Sequence, residues 1–124
     1  MSPNNKKKLD LIRVKLDKLD NKLLSLIKYR TKLVEEVLKL KEFKKEIVDK
    51  KRINFILKKI HSKSKKLKID PKITNRIWKN MILSYIDYEK RNFKKIVTYC
   101  VVEAFFPQTF HVFSYPDCIS LLKV

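Results

Sequence analysis

Residues 9–41 read LDLIRVKLDKLDNKLLSLIKYRTKLVEEVLKLK, and their spacing decides the fold. Leu9, Ile12, Leu16, Leu19, Leu23, Leu26, Arg30, Leu33, Val37 and Leu40 recur at steps of three and four, which puts one side of an α-helix against other helices. Arg30 fills the seam position between Leu26 and Leu33, where leucine is expected. A guanidinium cannot shed its proton, so an apolar interface is a costly place for it unless an anion meets it. Two answers stand open: a carboxylate of the protein, as at a polar register position of a coiled coil, or an anionic ligand from outside.

Outward from this segment the period predicts a first helix from about residue 6 to about residue 44, roughly 55–60 Å long at ~1.5 Å per residue. That is too long to bury its seam against two shorter helices, so a second chain is expected. The charges between Glu42 and Glu46 break the pattern, and a new period through Asp49, Arg52, Ile53, Ile56, Leu57 and Ile60 predicts a second helix to about Ser64. Lys63 to Lys68 reads as a polar connection. Asp70 followed by Pro71 is a helix start, the carboxylate capping and the proline at the first helical position. The third helix then runs to about Lys95, with Glu89 on the same face as Trp78, Met81 and Tyr85.

From Ile96 onward the sequence turns aromatic and sparsely charged, which predicts short strand or irregular structure. Glu103, Pro107, Gln108 and His111 interrupt it too often for a membrane span. The expected fold is all-α, a three-helix chain with a long first helix. A helical domain covers residues 6–95, and an aromatic-rich C-terminal extension covers 96–124.

Composition excludes several functions. The 124 residues suit one domain, and 35% charged with 44% hydrophobic fits a folded amphipathic protein. With no glycine, phosphate-cradling loops and dinucleotide-binding turns lose the backbone freedom they need. Cys100 and Cys118, with His61 and His111, show neither metal-ligand spacing nor a catalytic pair, so free thiols and no metal are expected. The N-terminal Met1 to Lys8 does not lead into a signal-peptide core, which makes a cytoplasmic protein the default. Lys and Arg number 31 against 13 Asp and Glu, a net charge of +18, so few internal carboxylates are at hand for Arg30.

The polar residues on the buried faces converge. Arg30, Val34, Val37 and Lys41 share one side of the first helix, and Arg13, Asp20, Ile27, Val34 and Lys41 form a seven-residue stripe beside it. If two first helices pair antiparallel, Arg13 of one chain approaches the Arg30 to Lys41 region of the other. Asp49 and Arg52 emerge on the apolar side of the second helix, and Glu89 faces inward from the third. A positive pocket with a single acid suits a small multi-carboxylate ligand.

The segments Leu19-Asp20-Asn21-Lys22-Leu23-Leu24, Tyr29-Arg30 and Val34-Glu35-Glu36-Val37 through Lys41 resemble the first-helix signature of the small all-helical chorismate mutases. Val48-Asp49-Lys50-Lys51-Arg52 is similar to the second-helix motif, and Asn75-Arg76-Ile77-Trp78 leading to Glu89 to the third, so the resemblance covers about residues 9 to 92. It implies an intertwined homodimer that converts chorismate to prephenate, a step of aromatic amino-acid biosynthesis. The rearrangement is pericyclic and needs no cofactor. By the same resemblance Arg13 of the partner subunit and Arg30 grip the two substrate carboxylates, and Lys41 contacts a carboxylate and the ether oxygen. Asp49 and Arg52 orient the substrate. Glu89 stands where relatives carry Gln or Glu, and as an acid it must hold a proton to donate to the ether oxygen.

Two positions depart from the pattern. Ile53 follows Arg52 where many mutases place Glu, and Tyr85 lies where a small hydroxyl residue is usual among the substrate contacts. An apolar residue after Arg52 is similar to the related isochorismate pyruvate lyases, the nearest enzymatic alternative. A different class is also open, a basic helical protein binding nucleic acid or an acidic membrane through its lysine runs, or a scaffold without catalysis. Those runs lack interleaved aromatic residues, so neither nucleic acid nor membrane is the expected partner.

Overall fold

The computed structural model describes residues 1–105, with side chains to residue 93. Helix α1 spans Pro3–Lys39, a 3-10 turn spans Lys44–Ile47, α2 spans Lys50–Lys66 and α3 spans Pro71–Phe105. The fold is all-α, with three helices and no strand among the described residues. The chain forms two compact units, Met1–Leu33 and the part from Val34 onward.

The first unit is helix alone. Its seam residues Ile12, Leu16, Leu19 and Leu23 stand 48–53% exposed, because a lone helix offers its apolar stripe nothing to pack on.

The second unit has a core. Leu38 from the end of α1, Ile47 from the 3-10 turn and Ile82 from α3 are its buried apolar residues. Helices α2 and α3 pack as a hairpin. Across it the hydroxyls of Ser64 and Thr74 lie 2.7 Å apart, and each also reaches a backbone carbonyl, Ser64 that of Ile60 and Thr74 that of Pro71. Both buried hydroxyls are thus satisfied. His61 joins them from α2, its Nδ1 3.4 Å from the Asn75 amide nitrogen.

Helix α1 ends at Lys39 rather than near residue 44. The amides of Leu40 and Lys41 tighten onto Val37 and Leu38, and those of Glu42 and Phe43 both donate to the Glu46 carboxylate, at 2.8 and 2.7 Å. A side chain that offers these amides a partner competes with the helical ladder and turns the chain away. Asp49 then caps α2, its carboxylate accepting the Arg52 amide at 2.9 Å.

The α2–α3 connection shows how a chain without glycine closes a helix. Lys68 adopts φ 56°, while its amide donates to Lys65 and that of Ile69 to Ser64, the paired bonds of a Schellman motif. Asp70 caps α3 by accepting the Lys72 amide at 2.9 Å.

The expected irregular or short-strand structure is corrected over residues 96–105, where α3 continues. The β-branched and aromatic run favours strand, but no glycine or proline separates it from the helix before it, and adding a residue to a formed helix costs far less than starting a strand. The expectation for residues 106–124 lies outside the described residues.

Candidate active site

Lys41 and Glu89 come together. Lys41 lies two residues beyond the end of α1, so it does not extend the helical stripe through Arg30, Val34 and Val37. Its Nζ nevertheless reaches Glu89 Oε2 at 2.5 Å, with the two side chains 17% and 10% exposed. Glu89 sits on the α3 face shared with Trp78, Met81 and Tyr85, which are half-buried. An ammonium and a carboxylate removed from water in this way depend on each other, since deleting either strands its partner's charge.

A second contact runs beside the first. The Tyr88 hydroxyl donates to Glu35 Oε1 at 2.5 Å. Its bond to the Glu35 carboxylate, together with burial, pushes the Tyr88 phenol above its ordinary 10.0, and only Arg91 pulls the other way. Reasoning from sequence missed this pair, naming Glu35 only as part of a motif and giving Tyr88 no part in the site. The available signal was that Glu35 lies on the helix leading to Lys41 and Tyr88 adjoins Glu89.

The remaining expected residues have other neighbours. Asp49 and Arg52 are joined through the helix cap, and both are exposed. The Arg52 guanidinium lies over the Phe55 ring at 5.4 Å. Ile53 lines an apolar groove of about 220 Å³ between α2 and α3 with Leu57, Ile82 and Ile86. In the first unit Arg30 is half-buried. Arg13 is exposed there, 3.6 Å from Asp10 on the same helix, a contact too open to hold it firmly.

Among the described residues no group of His, Cys, Asp and Glu could hold a metal ion, and no helix is long and apolar enough to cross a membrane. What the described residues bring together is one enclosed ammonium and one carboxylate, an arrangement able to meet developing anionic charge.

Among known families, a model described as chorismate mutase type II matches the chain over residues 12–90. That span takes in Arg13, Arg30, Lys41, Asp49, Arg52, Tyr85 and Glu89. No curated protein and no solved structure matches the chain.

Proposed function

Because the chain belongs to the chorismate mutase type II family, we propose that it converts chorismate to prephenate as a homodimer. The observation that carries this reading is the enclosed Lys41–Glu89 pair. A unimolecular rearrangement asks a protein only to hold a compact conformer and to stabilise charge on the breaking ether oxygen. Lys41 supplies a cation at that oxygen and at a carboxylate, and Glu89 donates to the same oxygen when it carries a proton. Arg30 and Arg13 of the partner subunit grip the substrate carboxylates. Arg52 turns from the Phe55 ring toward the ligand, while Asp49 and Tyr85 orient it. The exposed seam of α1, Ile12 through Leu23, supports the second chain that brings Arg13.

Ile53 favours a second reading, an isochorismate pyruvate lyase, because it turns an apolar side chain into the α2–α3 groove and offers a substrate hydroxyl no acceptor. Supplying the purified chain with chorismate and isochorismate in separate assays tests both readings. Prephenate is expected from chorismate, and Arg30→Ala is expected to lose that turnover while keeping its helicity. Pyruvate released from isochorismate, with chorismate untouched, assigns the lyase. A helical wild-type chain that consumes neither compound removes both readings.

A further inference from the structure

We propose that Tyr88 and Glu35 are positioning residues whose hydrogen bond sets the Lys41–Glu89 pair in place. This rests on the assignment of Lys41 and Glu89 to the active site. Tyr88 immediately precedes Glu89 on α3, and Glu35 lies in the last stretch of α1, which ends at Lys39. Their 2.5 Å contact belongs to the short, strong class in which a hydroxyl meets a carboxylate. A tyrosine side chain has two rotatable bonds and a rigid ring, so this contact fixes the separation of α3 from the end of α1. On its other side Tyr88 is held by the Asn92 amide, which donates to its carbonyl at 2.8 Å.

Lys41 needs such a brace. It sits on non-helical backbone, and a four-carbon stem loses much rotamer freedom when held to one geometry. The 2.5 Å ion pair shows that its ammonium is delivered to one place all the same. The brace limits where the backbone of Lys41 can stand relative to Glu89, so the flexible stem has only its own torsions left to settle.

Tyr88→Phe keeps the ring and removes the bond. It is expected to lower kcat for chorismate about tenfold with KM moving less than about twofold, since misplacing a catalytic group weakens the transition state more than the bound ground state. Glu35→Leu should do the same. Glu35→Gln, whose amide oxygen still accepts from the phenol, should recover most of the rate, and the Tyr88→Phe/Glu35→Leu double variant should fall no further than either single change. A readout independent of turnover is the coupling between Lys41 and Glu89, measured from the unfolding of Lys41→Met, Glu89→Gln and their combination. Most of that coupling should be lost in a Tyr88→Phe background. Coupling that survives intact there overturns the proposal. A wild-type chain inert toward chorismate whose coupling still collapses with Tyr88→Phe refutes the enzymatic reading and supports the brace.

Discussion

Leu16, Leu19 and Leu23 in the first unit and Leu38 in the second belong to one helix, yet about half of each of the first three is exposed while Leu38 is fully buried. The seam that predicts α1 runs through the first three and on through Val37, itself half exposed, and passes Leu38 by. The difference lies in what the chain folds against each stretch, because Ile47 and Ile82 complete a core in the second unit whereas the first consists of α1 only. An apolar stripe that stands half exposed among the described residues is a surface another apolar face can cover.

The largest effect that can break this comparison is at Leu38. Leu38→Ala should cost about 3 kcal/mol, the usual range for a buried leucine, and its thermal midpoint should fall equally at every protein concentration. Leu19→Lys should behave differently. In an isolated helix it changes little, but against a second chain it forfeits roughly 2 kcal/mol of apolar burial, so the loss should depend on concentration and sedimentation should report a monomer. Equal, concentration-independent losses at both sites would erase the distinction between the units.

A smaller effect sharpens the account of the second unit. Lys68 holds φ 56° without glycine's freedom, so Lys68→Gly should raise stability by about 1 kcal/mol in a denaturant titration. The smallest is at Tyr88. Its native phenol holds its proton more tightly than the unfolded one, so the stability from that contact is complete below the ordinary value of 10.0 and is lost as pH climbs from there through the raised native value. Wild type should therefore lose stability in that alkaline window with a slope that Tyr88→Phe lacks, as denaturant midpoints across the window would show.

What was legible in the sequence follows the range of the forces involved. Asp70-Pro71 announced α3 because a cap acts within a turn of itself, whereas Asp49, read only as part of the second helix's period, caps that helix. The seam gave α1, and the apolar face of α3 gave Glu89 its inward direction. The end of α1 was not legible, since it depends on Glu46 reaching back to the amides of Glu42 and Phe43. Lys68 gave no warning because the left-handed position usually carries glycine. The run after Ile96 misled because strand propensity was weighed without the helix that feeds into it. Of the candidate site, the inward direction of Glu89 was legible, but Lys41 meets it from beyond the end of α1 rather than from the expected helical stripe, and Tyr88 and Glu35 meet through tertiary packing that no local spacing encodes.

The central claim is that the enclosed Lys41 and Glu89 act on a dianion whose ether bond is breaking. Prephenate formation from chorismate, measured side by side for wild type, Lys41→Met and Glu89→Gln, tests it most directly. Wild type should make prephenate, Glu89→Gln, whose amide is a standing donor, should keep turning over, and Lys41→Met should fall by about a hundredfold with its helicity retained. Undiminished turnover in Lys41→Met, or a helical wild-type chain that leaves chorismate untouched, would contradict it.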